Sequence, residues 1–171
     1  MKNVKAVSLS VGAMVLLILA DQAVKLAVRR NVPLGQRTVL VPNLLELTHT
    51  TNDGVSFGFL AELPGWLLVA VSLAAIVMLA FFWVTRWKNL NRMSHLAFLL
   101  ILPGAIGNLI DRAVFGAVTD YLHFRFYSTS FFVNNLADML ISAGVVAFLI
   151  GAMRGEGHKP RAAPSKGPAR T

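Results

Sequence analysis

The sequence predicts an α-helical membrane protein with four transmembrane helices and a small β-sheet on the extracytoplasmic side. Of its 171 residues, 56% are hydrophobic and 14% are charged, whereas about a quarter of the residues in a soluble domain carry charge. The chain contains four long apolar runs without charged residues, and its charges fall on alternate sides of those runs. The composition therefore excludes an ordinary soluble domain. The absence of cysteine excludes a disulfide scaffold and a cysteine-ligated metal cluster.

Each of the four apolar runs predicts one membrane-spanning helix. About 20 residues are needed to cross a hydrocarbon core of roughly 30 Å, and only the second run exceeds that length on its own. The other three span the membrane only if the helix continues past a charge, and in each case one bounding charge is an aspartate: Asp21, Asp111 or Asp138. The runs are residues 6–20, 63–85, 93–110 and 139–153, and the predicted helices are about 6–28, 63–86, 93–113 and 136–154.

A cleaved signal peptide is the alternative interpretation of the first run, because Lys2 and Lys5 precede it. No clear small-residue cleavage site follows that run, and three more spans come after it. We therefore expect a retained helix.

The distribution of charge predicts the orientation of the helices. The amino terminus, the loop between helices two and three and the tail hold ten basic residues and one acidic residue, a net charge of +9. The other side holds six basic and seven acidic residues, a net charge of −1. The positive-inside rule then places both termini in the cytoplasm, and we expect contact with membrane lipid and no nucleic-acid partner. The composition of residues 155–171, rich in Pro, Gly, Ala, Lys and Arg, predicts a disordered basic cytoplasmic tail.

Two segments on the extracytoplasmic side, about residues 37–60 and 117–133, predict the β-sheet. Both are rich in β-branched and aromatic residues, and the triplet Asn52-Asp53-Gly54 is a turn signal. Such a sheet either caps the helix bundle or holds an extended peptide by strand addition.

The histidines and serines offer little recognisable chemistry. No histidine has metal-ligand spacing to another, so we expect neither a metal site nor a cofactor. A Ser-His-Asp set that uses Ser128 or Ser130 with His123 stays open, although nothing in the sequence marks a nucleophile elbow there.

The aspartates that bound the short runs are better candidates. A short helix anchored by basic residues at its inner end places its limiting aspartate below the outer surface, where an unpaired carboxylate is costly and usually marks function. An aspartate at a helix end near the interface is also common without any function. Asp21 and Lys25 have the i, i+4 spacing of an intrahelical ion pair. Asn108, Asp111 and Arg112 share a polar stripe on helix three, and the small residues Gly104 and Gly107 let another helix approach.

Asp120 and Asp138 are the candidate catalytic pair. Asn135 can cap helix four, and Asp138 follows three residues later, where the helix dipole favours a carboxylate. Two carboxyl groups at close range share one proton. One group then activates water while the other donates to the scissile carbonyl. We expect the helix dipole to keep Asp138 ionised and to leave the shared proton mainly on Asp120.

Five motifs, in this order along the chain, resemble those of bacterial lipoprotein signal peptidase, also called signal peptidase II. The resemblance extends from Asp21 to Asp138 and agrees with the four-span topology. The motifs are Asp21-Gln22-x-x-Lys25, Asn52-x-Gly54-x-Ser-Phe57-Gly58, Gly107-Asn108-x-x-Asp111-Arg112, Val118-x-Asp120 and Asn135-x-Ala137-Asp138.

The resemblance implies a single integral membrane peptidase domain over residues 1–154 with an extracytoplasmic β-cradle. It implies an intramembrane aspartic endopeptidase that removes signal peptides from diacylglyceryl-modified prolipoproteins and cuts just before the lipidated cysteine. It also implies a monomer in the bacterial cytoplasmic (inner) membrane, an active site near the outer leaflet and sensitivity to globomycin-type inhibitors. Asp120 and Asp138 match the catalytic pair; the positions that match substrate-binding or supporting residues are Asn52, Gly54, Asn108, Asp111, Arg112, Asn135, Asp21 and Lys25.

Three positions depart from the family pattern. Asn134 stands where an aromatic residue is usual, Met139 where serine is common and Pro103 where a small residue is common. These departures leave the two candidate aspartates in place. We expect them to affect which substrates are preferred and how the protein responds to inhibitors.

Two other functions remain open from the sequence. One is a non-enzymatic proton- or ion-coupled carrier that uses Asp21, Asp111 and Arg112 as a relay, although four spans without a visible repeat suit a carrier poorly. The other is a structural membrane-anchored interaction protein, in which these aspartates have no chemical role.

Overall fold

The computed structural model describes residues 2–54 and 64–153, which form four long helices and a four-stranded antiparallel sheet. Each of the four helices is long and apolar enough to cross a membrane. The predicted architecture of four spans and a small sheet is therefore confirmed. In chain order the elements are α1 (Lys2–Asn31), β1 (Arg37–Val41), β2 (Leu45–Asn52), α2 (Gly65–Arg86), a short 3-10 helix (Trp87–Asn89), α3 (Arg92–Phe115), β3 (Val118–Phe126), β4 (Thr129–Asn134) and α4 (Leu136–Met153).

The helix ends explain how polar residues come to lie within the bundle. Helix α1 continues past Asp21 and Lys25 to Asn31, so both side chains project from the middle of a helix. Helix α3 ends at Phe115, and the next residue, Gly116, has a φ of 79°, the left-handed conformation that commonly terminates helices. Strand β4 leads almost directly into α4, with Asn135 between them. The sheet and the first turn of α4 are thereby joined.

Glycines let α3 pack closely against α1 and α4. A Cβ atom at Gly104 would lie 2.5 Å from the carbonyl oxygen of Ala137, and one at Gly107 would lie 2.5 Å from Oδ2 of Asp21. On α4, a Cβ at Gly144 would lie 2.9 Å from the carbonyl oxygen of Ala97. The expected close approach at Gly104 and Gly107 is confirmed, and it brings the polar residues of α1 and α3 into contact.

The sheet has the strand order β1-β2-β3-β4. In the pairing of β2 with β3, Thr50 lies opposite Asp120 and Asn52 lies opposite Val118. Asn52 and Asp120 therefore emerge near each other at the same end of the sheet.

Large apolar side chains cover the outside of the helices. Trp66 on α2 is 70% exposed, and Leu16, Phe81 and Val146 on α1, α2 and α4 are also exposed. Such a surface is expected where helices face lipid rather than water. The buried interior holds an apolar cluster (Met14, Ile76, Trp83, Phe98 and Leu102) and, towards the sheet, a polar one.

Some sequence predictions concern residues that the structure does not describe. The tail at 155–171, the motif positions Phe57 and Gly58 and the part of the predicted outer segment beyond Gly54 lie outside the described residues.

Candidate active site

Asp120 on β3 is buried between two amide side chains. The Nδ2 group of Asn52 donates to Asp120 Oδ2 at 3.0 Å, and that of Asn135 donates to Asp120 Oδ1 at 2.6 Å. The residue is only 2% exposed. Burial raises the pKa of Asp120 from 3.8 to about 6; the hydrogen bond from Asn52 lowers it, and the nearby charge of Asp138 raises it. A carboxyl with this pKa holds a proton far more readily than an ordinary aspartate.

Asp138 lies in the first turn of α4 and is partly exposed. Its Oδ1 accepts a hydrogen bond from Asn108 Nδ2 at 2.7 Å, and its Oδ2 accepts one from the backbone N–H of Asn135 at 3.3 Å. In return, Asn135 Oδ1 accepts the backbone N–H of Asp138 at 2.9 Å. The predicted cap is confirmed as a reciprocal capping box, which holds the Asp138 carboxyl group against two donors at the start of α4.

Asn135 connects the two carboxyl groups. It is fully buried, its Nδ2 contacts Asp120, and its Oδ1 holds the backbone of Asp138. One amide side chain thus fixes Asp120 relative to the first turn of α4.

The turn after β2 fixes the amide of Asn52. Gly54 donates its backbone N–H to Asn52 Oδ1 at 2.9 Å, so the Nδ2 group of Asn52 is left facing Asp120. Gly54 has a φ of 85°, a backbone conformation that residues other than glycine rarely adopt. The glycine therefore supports Asn52 through the shape of the turn.

Lys25 is the centre of a second, fully buried layer. Its Nζ atom lies 2.9 Å from Asp21 Oδ2 and 3.4 Å from Asp111 Oδ2, which confirms the predicted pair with Asp21. It also donates to Asn108 Oδ1 at 2.9 Å. Because that oxygen accepts from Lys25, the Nδ2 group of Asn108 must point to Asp138.

Asp21 and Asp111 tie this layer to the surrounding elements. Asp21 Oδ1 accepts the backbone N–H of Ala137 at 3.0 Å, and Asp111 Oδ2 accepts that of Thr119 at 2.9 Å. Arg29 contacts Asp111 Oδ1 at 3.3 Å and donates to Thr119 Oγ1 at 2.8 Å. Helix α1 is thereby connected to α3, β3 and α4.

Sequence reasoning did not single out Arg29 or Thr119, and it gave Gln22 no role. Gln22 donates to the carbonyl oxygen of Gly107 at 3.0 Å. Gln22, Lys25 and Arg29 follow the i, i+3, i+7 spacing of one helix face, which is the signal that predicts their common orientation.

Arg112 faces away from this buried layer. It borders a cavity of about 320 Å³ between α2 and the α3–α4 pair, which also exposes Asp138. It borders a second cavity of about 410 Å³ beside Trp66. The predicted polar stripe on α3 therefore divides, with Asp111 in the buried layer and Arg112 at the cavities. The first cavity is lined by Ser72, Ala75, Ile76, Leu79, Ala105, Asn108, Arg112, Asp138 and Ile141.

This division argues against the carrier relay. Asp21 and Asp111 are sealed at 0% exposure around Lys25, whereas Arg112 lies at the cavities. Among the described residues, the three groups proposed as a relay therefore do not line one common cavity.

Comparison with known proteins gives a consistent result. A sequence profile of the family described as signal peptidase (SPase) II matches residues 13–154. Three relatives carry the name lipoprotein signal peptidase. The one from Allorhizobium ampelinum is 39% identical over 78% of this chain and 81% of its own length. The relative from Bartonella henselae is 40% identical over 80% of this chain and 83% of its own length. The relative from Methylobacterium radiotolerans is 39% identical over 91% of this chain and 91% of its own length.

Two solved structures share the fold. Both are described as a bacterial membrane enzyme solved by the in meso method, one at 2.3 Å and one at 1.9 Å. The first has a TM-score of 0.77 and 22% identity, and the match covers 91% of this chain and 94% of that one. The second has a TM-score of 0.76 and 23% identity, and the match covers 86% of this chain and 94% of that one. The helices and the sheet described above are thus a known arrangement.

Proposed function

The chain belongs to the signal peptidase II family, the family that its five motifs resemble, and on that premise we propose that it is an aspartic endopeptidase. It is a multi-pass bacterial membrane protein whose family removes signal peptides from prolipoproteins. Its substrates are diacylglyceryl-modified prolipoproteins, and it cuts just before the lipidated cysteine. The observation that carries this proposal is the Asn135 side chain, which holds buried Asp120 beside the first turn of α4 and Asp138.

The two carboxyl groups have different environments, and this difference assigns their roles. Asp138 accepts two hydrogen bonds at the start of a helix and serves as the ionised base. Asp120 has a pKa raised to about 6 by burial and serves as the acid. The charge of Asp138 contributes to that raised pKa, as expected for carboxyl groups that share one proton.

Hydrolysis then proceeds without a covalent intermediate. Asp138 takes a proton from water as the water oxygen attacks the scissile carbonyl, and Asp120 gives its proton to the carbonyl oxygen. When the tetrahedral intermediate collapses, Asp120 recovers a proton from the hydroxyl group. The leaving amine takes the proton held by Asp138, so the dyad returns to its starting state.

The cavity beside Asp138 supplies a route from the membrane. Its walls on α2 are mainly apolar, with Ala75, Ile76 and Leu79, while Arg112 and Asn108 supply polar donors near Asp138. The substrate arrives laterally, so its acyl chains stay in lipid while Arg112 orients the peptide carbonyls. Strand β4, at the edge of the sheet, holds the extended segment around the cleavage site by strand addition.

The remaining supporting groups act through the carboxyl groups. Asn52 and Gly54 orient the amide that contacts Asp120, and Lys25 orients Asn108 towards Asp138. Asp21 and Asp111 balance the charge of Lys25. The enzyme works as a monomer with both termini in the cytoplasm and the sheet at the outer leaflet, and globomycin-type inhibitors compete for the cavity.

The test is product analysis with purified enzyme. A diacylglyceryl-modified prolipoprotein and its unlipidated form are incubated separately, and the products are identified by mass spectrometry. We expect one cut, directly before the lipidated cysteine. Cleavage of the unlipidated form should be at least roughly tenfold slower, which corresponds to about 1.4 kcal/mol of transition-state stabilisation supplied by the lipid. Cleavage elsewhere, or equal cleavage of both forms, contradicts the proposed specificity.

A further inference from the structure

A second cluster of reactive side chains lies on the sheet, where His123 is placed between a carboxylate and a serine. His123 Nδ1 lies 2.9 Å from Glu46 Oε2, and His123 Nε2 lies 2.7 Å from Ser130 Oγ. The three residues come from adjacent strands, β2, β3 and β4. His123 and Glu46 are buried, while Ser130 is exposed. Of the two serines left open by the sequence, the structure selects Ser130, and the acidic partner is glutamate rather than aspartate.

The charges around His123 determine the direction of these hydrogen bonds. Arg125 pairs with Glu46 from the side opposite His123. The hydrogen bonds from Arg125 and then His123 lower the pKa of Glu46, so this carboxylate is ionised and only accepts. His123 Nδ1 carries the proton that it donates to Glu46, and in the tautomer with its single proton on Nδ1 the other nitrogen, Nε2, is an acceptor. The hydroxyl of Ser130 therefore donates to His123.

This order of contacts is that of an activated serine. A nucleophile that donates to a histidine, which is oriented in turn by a carboxylate, is the arrangement by which serine hydrolases raise the reactivity of a hydroxyl.

We propose that Ser130 is a nucleophile activated by His123 and Glu46, and that it accepts acyl groups from uncharged esters. Phe131, the next residue along β4, is 61% exposed, so an apolar surface adjoins Ser130 and favours an apolar acyl group. Arg125 is the cross-strand partner of Ser130 and pairs with Glu46, so a positive charge lies on the same side of the cluster as its carboxylate. This site is separate from Asp120 and Asp138 and uses none of their contacts.

The reaction follows two balanced steps. Ser130 Oγ bonds to the ester carbonyl carbon and passes its proton to His123 Nε2; the carbon–oxygen bond to the alcohol then breaks, and the alcohol leaves with that proton. Water next attacks the acyl-serine and gives a proton to His123. Release of the carboxylic acid returns the proton to Ser130.

The probe for this site is a fluorophosphonate, which forms a bond to an activated serine and releases fluoride. The full chain is purified in detergent, treated with the probe and mapped by mass spectrometry. We expect one adduct, on Ser130, and no adduct in Ser130→Ala.

Ser128→Ala is the matched control, because Ser128 is exposed on the same hairpin and lacks the contact with His123; it should label like the unaltered enzyme. His123→Gln should label roughly 100-fold more slowly, the scale of general-base assistance.

Two measurements keep the test decisive. Ser130→Ala should unfold at the same temperature as the unaltered enzyme, which shows that it is folded, and Asp120→Asn should retain labelling, which shows that the two sites are independent. Labelling no faster than in heat-denatured enzyme, or labelling that persists unchanged in Ser130→Ala, overturns the proposal.

Discussion

Among single residues, Asn135 makes the contacts that involve both proposed catalytic groups. Its amide donates to Asp120, and its carbonyl oxygen holds the start of α4, where Asp138 lies. We expect Asn135→Ala to reduce turnover by at least roughly 100-fold, because both carboxyl groups lose their fixed positions. It should also cost about 1 kcal/mol in the free energy of unfolding through the lost cap. Prolipoprotein cleavage and thermal unfolding measure the two effects.

Asn91→Ala is the matched control for this variant. Asn91 caps α3 by accepting the backbone N–H of Ser94 at 2.7 Å, and none of its hydrogen bonds involves Asp120 or Asp138. We expect a similar loss of stability without the loss of turnover. Equal turnover in the two variants would show that Asn135 acts only as a cap.

The protonation of Asp120 makes a second prediction at the residue scale. A general acid must hold its proton, and the protonated fraction of Asp120 falls as the pH rises through its pKa of about 6. We expect kcat/KM to decline with rising pH through that value. The hydrogen bond from Asn52 lowers this pKa, so Asn52→Ala should move the decline to higher pH. Thr51→Ala, an exposed neighbour on the same strand, should leave it in place; a decline that stays fixed or moves to lower pH in Asn52→Ala contradicts the role of Asp120.

At the scale of elements, the contact of α3 with α1 depends on Gly107. A Cβ atom there would lie 2.5 Å from Asp21 Oδ2, the oxygen that pairs with Lys25. We expect Gly107→Ala to lower the free energy of unfolding by about 1–3 kcal/mol, as overpacking does. Gly12→Ala on α1 is the control, since a Cβ there meets nothing within 4 Å. If thermal unfolding finds Gly107→Ala as stable as Gly12→Ala, the helices are not packed this closely.

The elements also show what sequence can and cannot predict. Run length predicts the four helices because the thickness of the hydrocarbon core is known, and spacing along one helix predicts the Asp21–Lys25 pair. Contacts between elements are different: Arg29 meets Thr119 only because α1 packs against β3. Likewise, Glu46 reaches His123 through strand register, which composition and spacing do not determine. The roles proposed for Asp120 and Asp138 follow from the family motifs together with the chemistry of a helix start.

At the scale of the whole molecule, the orientation in the membrane is testable because the chain lacks cysteine. Lys88, in the short helix after α2, and Thr129, at the start of β4, are both exposed. We expect a membrane-impermeant maleimide to label Thr129→Cys in intact cells and to label Lys88→Cys only after permeabilisation. This pattern follows from the excess of Lys and Arg on one side of the four spans. Labelling of both positions in intact cells would contradict the proposed topology.

The central claim, that two aspartates form the catalytic dyad, is tested most directly by cleavage of a diacylglyceryl-modified prolipoprotein with purified Asp120→Asn and Asp138→Asn enzymes. Asp53→Asn is the control, since Asp53 is exposed in the turn that separates Asn52 from Gly54. The expected result is a loss of at least roughly 100-fold in each dyad variant, the contribution of general acid–base catalysis, with normal turnover in the control. Near-normal turnover in either dyad variant, when thermal unfolding shows that it is folded, would contradict the claim.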